Sequence, residues 1–317
     1  MDGYNCELNK IPLLVVVGPT ASGKTALAIQ LAKKLDGEIV SADSMQVYTG
    51  MEIAAAKPTQ AELAAVPHHL IGIADPGARF SVAQYAPLAH AAIRDIHARG
   101  RVPVLCGGTG LYIQAVTENL AYPETPIDHS LRGRLRQRSN ASLYEELKAI
   151  DPATQIGGTD QKRMVRALEL YYSTGLTIKE QNLASRAQPS PYECKMFFLN
   201  ARNRQTLYDR IDARADAMLA RGLLEEAAQW RTSAGATAAQ AIGCKELETY
   251  FTGACSLEEA AARLKQETRR YAKRQLTWFR RMAGEWNARE PGSCVELFIE
   301  ELTKHNEQLT MPEGFTL

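Results

Sequence analysis

Lys24 occupies the seventh place of Gly18-Pro19-Thr20-Ala21-Ser22-Gly23-Lys24-Thr25, an octapeptide of the form G-x-x-x-x-G-K-[ST]. Backbone N–H groups of such a turn, the positive end of a following helix dipole and the lysine ammonium converge on one spot, which suits a di- or triphosphate. Thr25 adds a hydroxyl for Mg²⁺. Asp43, in Ser41-Ala42-Asp43-Ser44-Met45-Gln46, is placed to act as a general base toward a bound electrophile, or, more plainly, as an outer Mg²⁺ ligand or a cap on the following turn. Thr109, in Cys106-Gly107-Gly108-Thr109-Gly110-Leu111-Tyr112, offers another hydroxyl where three glycines let the backbone approach a ligand. It also suits the N-cap of the next helix, and the two roles are compatible.

These residues need elements that bring them together. The octapeptide follows the apolar run Ile11 to Val17 and opens the helical stretch Ala26 to Leu35, the strand, turn and helix that a phosphate loop requires. Four further short apolar segments read as buried parallel strands: Glu38 to Ser41, His69 to Ile73, Val102 to Cys106 and Cys194 to Leu199. Ser81 is expected to N-cap a helix running to about Ala98, with Gly100 as its stop. The fold class is α/β, a parallel sheet wrapped by helices on both faces. Asp43 and Thr109 then leave strand ends into the crevice of the phosphate loop.

The alternation breaks at Tyr122-Pro123-Glu124-Thr125-Pro126 and resumes after Gln188-Pro189-Ser190-Pro191. Residues 121–190 are therefore expected to form a helical insertion domain in a core made of residues 1–120 and 191–317. Arg132, Arg134, Arg136 and Arg138 recur within it, and Lys162, Arg163 and Arg166 open another helix; such runs are usually solvated faces. Ser256-Leu257-Glu258-Glu259 is a capping box that starts a long helix. Between Arg263 and Arg281 eight bases face one acid, Glu267, a local charge of +7 in a chain whose net charge is +1. Tyr271, Leu276, Trp278 and Phe279 interleave with the bases to seat one side of this helix, leaving a basic stripe suited to a phosphate backbone, with Arg269, Arg270, Lys273 and Arg274 as its grip. The tail beyond Pro291 turns acidic and shows no site.

Taken in order, the phosphate octapeptide, Ser41 to Tyr48, Gly50-Met51, Ala56-Lys57-Pro58, His68 to Ile71, Gly107 to Tyr112, Arg166 to Glu169, Ala241-Ile242-Gly243, Lys245-Glu246 and Arg269 to Arg280 resemble the tRNA dimethylallyltransferase (isopentenyltransferase) family over residues 12 to 282. The resemblance implies a P-loop NTPase-like fold and transfer of a dimethylallyl group from its diphosphate to N6 of the adenosine 3′ of the anticodon. It implies that residues 18–25 hold the diphosphate, that Asp43 is the general base, and that Thr109 contacts tRNA. It likewise places Asp43, Ser44, Met45, Gln46, Lys162, Arg163, Met164, Val165 and Arg166 where the family touches tRNA. Ala replaces an expected Gly-Thr ahead of Ala56-Lys57-Pro58, and Cys244 replaces a Tyr. The zinc-finger extension of eukaryotic relatives is missing, which implies the bacterial type.

Composition narrows the alternatives. The near-neutral charge excludes a chain that is basic throughout, so nucleic acid must be met by local clusters. Cys6, Cys106, Cys194, Cys244, Cys255 and Cys294 are scattered without a C-x-x-C pair, so neither a zinc site nor a disulfide framework is expected. His68-His69 are adjacent on a strand and should point to opposite faces. No basic n-region or membrane-length apolar run appears, and a cytoplasmic monomer is expected. No run of four apolar residues ends in Asp at the fourth strand, against a nucleotide-hydrolysing motor. Two rivals are a nucleotide or small-molecule kinase, with ATP in the loop and the Arg-rich insertion as a lid, and an RNA-binding nucleotide switch. The first leaves the +7 helix without a task, the second leaves Asp43 unexplained.

Overall fold

In the computed structural model, residues 10–122, 128–235 and 237–300 are described, so part of the first Pro-bearing linker and the tail beyond residue 300 lie outside the described residues. The chain divides into two compact units, one made of Met1–Thr117 with Pro191–Leu317, the other of Glu118–Ser190.

The larger unit is built on a six-stranded, wholly parallel sheet: β1 (Ile11–Val17), β2 (Gly37–Ser41), β3 (His68–His69), β4 (Val102–Gly107), β5 (Tyr192–Asn200) and β6 (Cys294–Phe298), in the order β3-β2-β4-β1-β5-β6. The phosphate-loop strand β1 is thus central, between β4 and β5. Its side chains alternate between two cores with period two. Leu13, Val15 and Val17 join Val40, Leu105 and Phe198 under helix α3 (Val82–Ala98), whereas Leu14 and Val16 join Ile39, Val104 and Phe197 under α1 (Lys24–Lys34). Continuous burial of residues 13–17 reflects helices on both faces.

Ser81 caps α3 through a reciprocal capping box with Gln84, and Gly100 takes φ 75° just past its end, as expected from sequence. The third strand is shorter than expected. Leu70 and Gly72 adopt φ 63° and 61°, left-handed conformations that end the ladder after His69. β6 was not expected; it extends the sheet beyond β5 with Val295 and Leu297 packed on the α1-side core.

Short helices α2 (Gln60–Ala65) and α4 (Gly110–Thr117) follow β2 and β4. The smaller unit contains α5 (His129–Arg136), α6 (Asn140–Ile150), α7 (Gln161–Thr174) and α8 (Ile178–Ala184), closed around Leu135, Leu143, Leu147, Met164 and Leu168. The larger unit resumes with β5, α9 (Arg204–Ala220), α10 (Leu223–Trp230), α11 (Cys244–Phe251) and the 33-residue α12 (Leu257–Arg289), whose Ser256–Glu259 capping box is formed in both directions. α12 buries Ala272, Gln275, Phe279, Met282 and Trp286 and exposes most of its cations.

Candidate active site

The turn after β1 is a cradle of backbone. A Cβ at Gly18 would come within 2.8 Å of the Leu199 carbonyl oxygen, so only glycine fits there. Ala21 and Gly23 take φ 62° and 91°, which winds the chain into the start of α1. No side chain caps that helix and no acid sits in its first turn, leaving its amides and dipole to an anion. Lys24 is half-buried and its Nζ donates to the Pro19 carbonyl at 3.4 Å. Burial pushes its pKa down, and the Asp43 charge pulls the other way.

Asp43 stands two residues past β2. The Ala42 N–H donates to the Cys106 carbonyl at 2.8 Å, so the strand end is tied to β4. One Asp43 oxygen, Oδ1, accepts the Met45 N–H at 2.9 Å; the other has no hydrogen-bond partner among the described residues. The turn-capping role and an open carboxylate oxygen therefore coexist. Lys24 and Asp43 line one pocket, together with Thr25, Ser41, Gln46 and His68. The sequence-level requirement that these two side chains share a crevice is met.

Thr109 is turned toward the same strand end. Its N–H donates to the Ala42 carbonyl at 3.1 Å, and its Oγ1 accepts the Ser44 N–H at 2.9 Å and donates to Ser44 Oγ at 3.2 Å. The hydroxyl thus braces the residue after Asp43 instead of capping its own helix. His68 and His69 also separate: His69 bonds the buried Glu38 at 2.7 Å. His68 anchors Nδ1 on the Val66 carbonyl at 2.8 Å and lines the pocket, with Nε2 buried and unpartnered. Burial lowers the His68 pKa and favours the neutral ring.

Thr25 faces the pocket, and its hydroxyl has no partner among the described residues. Among those residues no cluster of three or more His, Cys, Asp or Glu could hold a metal. A single protein hydroxyl beside phosphate oxygens fits Mg²⁺, which keeps most of its shell for water and substrate.

Three residues that sequence reasoning did not single out belong to the site. Arg210 of α9 donates from Nε to the Ala21 carbonyl at 3.0 Å. Arg214, one helical turn on, has no hydrogen-bond or ion-pair partner among the described residues; burial pushes its pKa down, and the Asp43 charge is its largest opposing influence. Gln275 of α12 accepts the Thr20 N–H at 2.8 Å and donates to the Gly108 carbonyl at 2.9 Å. The signal for Gln275 was a polar residue on the apolar face of a cationic helix. For the arginines it was i, i+4 spacing alone.

Of the residues expected at tRNA, Lys162, Arg163 and Arg166 are exposed on α7 of the smaller unit. Met164 and Val165 are 0% and 4% exposed in that unit's core, so their side chains are unavailable to a partner. Arg166 and Arg132 both bind the buried carboxylate of Glu169. On α12, Arg269 pairs with Asp212 at 2.6 Å and Arg270 with Glu267 at 2.5 Å, a neutralisation by α9 and by the helix itself. Lys273 and Arg274 are exposed and have no acidic partner among the described residues; the Arg274 guanidinium lies 5.7 Å from the Tyr271 ring centroid.

A family model described as IPP transferase matches residues 46–282, and a second, Isopentenyl transferase, matches residues 11–71. The chain belongs to the IPP transferase family. A relative, the tRNA dimethylallyltransferase of Geobacillus thermodenitrificans, is 48% identical over 302 residues, 92% of this chain and 95% of its own. Among solved IPP transferase structures, the full-length tRNA isopentenylpyrophosphate transferase of Bacillus halodurans superposes with a TM-score of 0.66 at 40% identity, covering 94% of this chain and 95% of that one. A eukaryotic dimethylallyltransferase acting on tRNA gives 0.79 at 29% identity, over 94% and 76% respectively. The P-loop-like α/β fold is shared with these enzymes.

Proposed function

We propose that the pocket between Lys24 and Asp43 transfers a dimethylallyl group from dimethylallyl diphosphate to N6 of the adenosine 3′ of the anticodon in tRNA. The observation that carries this reading is the shared pocket itself: a cationic leaving-group cradle and an open carboxylate oxygen line one cavity. An adenine amine is a weak nucleophile because its lone pair is delocalised into the ring, whereas an allylic diphosphate ionises readily once its departing oxygen is stabilised. The residues around Lys24 therefore act chiefly on the leaving group.

In the reaction the C1–O bond breaks and the N6–C1 bond forms; diphosphate leaves, and the N6 proton passes to Asp43. Amides at the start of α1, Lys24 and Arg214 hold the negative charge that grows on diphosphate, a preorganised contribution worth several kcal/mol in comparable sites. Mg²⁺ held by Thr25 and the phosphate oxygens would supply further charge neutralisation. Asp43 takes the proton as positive charge builds on nitrogen, a contribution of roughly 10²- to 10⁴-fold. The target base must leave its stack to reach the pocket, at modest cost in a single-stranded loop. Thr109 and Ser44 border its path, and the exposed cations of α7 and α12 supply sequence-independent grip on the RNA backbone.

The test is to incubate the protein with tRNA and either dimethylallyl diphosphate or ATP and to weigh the tRNA afterwards. The expected result is a mass gain of one prenyl group on the adenosine next to the anticodon with the allylic substrate alone. Phosphoryl transfer from ATP to any acceptor without prenylation would favour the kinase reading.

A further inference from the structure

The cradle and the base lie on different loops, and one buried polar side chain on α12, Gln275, lies between them. Gln275 is 5% exposed, on a helix whose other buried neighbours there are Ala272 and Phe279. Its two bonds fix the orientation of its amide: the Thr20 N–H requires an oxygen, and the Gly108 carbonyl requires an N–H. Gly108 is joined by its peptide bond to Thr109. Thr109 in turn holds Ser44, the residue after Asp43. A line of hydrogen bonds, continued across the Gly108–Thr109 peptide bond, thus runs from the phosphate loop at Thr20, through Gln275, to the turn that carries Asp43. The fit leaves no slack, since a Cβ at Gly108 would lie 2.3 Å from Gln275 Nε2.

We propose that Gln275 is a positioning residue for the transfer step, setting the phosphate loop in register with the Thr109–Asp43 side of the pocket. Gln275 touches no reacting atom. A buried amide costs free energy unless both its ends are satisfied, and a leucine of similar size would pack this helix face with less penalty. Here the amide aligns two half-sites, and in-line displacement is sensitive to misplacements of about 1 Å, which cost roughly 10²-fold. The inference rests on the prenyl-transfer reading and adds to it the residue that spaces leaving group from base.

The experiment compares the full-length protein with Gln275→Leu and Gln275→Glu by single-turnover prenyl transfer at saturating substrates, with tRNA Kd and Tm measured alongside. Gln275→Leu should lower the transfer rate by about 10- to 100-fold, with tRNA Kd changed less than about threefold. Gln275→Glu supplies an internal control. Ionised, it keeps the Thr20 bond but opposes the Gly108 carbonyl; protonated, it restores both bonds. Its rate relative to wild type should therefore climb as pH falls from 7.5 toward 5.5, while the Gln275→Leu ratio stays flat. Wild-type rates in Gln275→Leu would overturn the inference, as would losses in both variants that follow Tm with no pH-dependent recovery. Failure of the wild-type protein to prenylate tRNA would instead remove the function on which it rests.

Discussion

Strand β2 carries a carboxylate near each end, and the two are held in opposite ways. Glu38, near the start, is 3% exposed and bonded to Arg99, Arg101 and His69, which hold its carboxyl down at about 2, the Arg99 bond contributing most. Asp43, just past the other end, has one backbone bond and opens into the pocket beside Lys24. A carboxylate with every oxygen satisfied is fixed as an anion and serves the fold. One left with a free oxygen beside an anion cradle is, in the proposed reaction, open to the substrate. The difference separates the stability of this sheet from its chemistry on a single strand.

The largest effect expected from breaking this contrast is Asp43→Asn, which keeps the cap to Met45 and removes the proton acceptor. Single-turnover transfer should fall by roughly 10²- to 10⁴-fold with Tm and tRNA Kd unchanged. Arg214→Ala should raise KM for dimethylallyl diphosphate by about 10- to 100-fold, the loss of a charge-assisted contact, and leave tRNA affinity alone in a filter-binding assay. At the other end of β2, Glu38→Gln should cost about 1–3 kcal/mol in denaturant titrations at neutral pH and spare the turnover rate. The sign of its pH dependence follows from the depressed folded pKa. Glu38 stabilises above the ordinary carboxylate range and loses that contribution as pH falls through about 2, so wild type and variant should converge on acidification. The smallest effects belong to the α12 surface. Lys273→Ala should weaken tRNA binding severalfold and reduce the salt slope by about one, whereas Arg270→Ala, already paired with Glu267, should change the slope less.

How far these features could be read from sequence depended on how local they are. The phosphate loop and the strands on either side of it are contiguous patterns, and Asp43 and Thr109 follow from the rule that ligands gather at strand C-terminal ends. Gln275, Arg210 and Arg214 come from helices about 190 to 250 residues away in sequence, so only the folded chain reveals that they reach the loop. A shorter separation, 57 residues, was enough to hide the pairing of Arg269 with Asp212, which lowers the free charge of a helix read as uniformly basic. Helical spacing alone would have withdrawn Met164 and Val165, since both lie on the apolar face of α7 with Leu168. β6 escaped notice because five residues of mixed polarity in an acidic tail resemble a loop until an edge strand needs a neighbour.

The central position of β1 has a consequence for biosynthesis. The loop that follows it is made first, yet its flanking strands β4 and β5 are separated by the inserted unit, and its straps at Arg210 and Gln275 leave the ribosome much later. A nascent or prematurely terminated chain ending before residue 275 carries the whole Gly18–Thr25 signature but lacks the tie between Thr20 and Gly108. The gap delays a working site until the last long helix is synthesised, in keeping with the slow closure of non-local parallel pairings. Fragments that an antibody or a motif search would score as positive should therefore be inert.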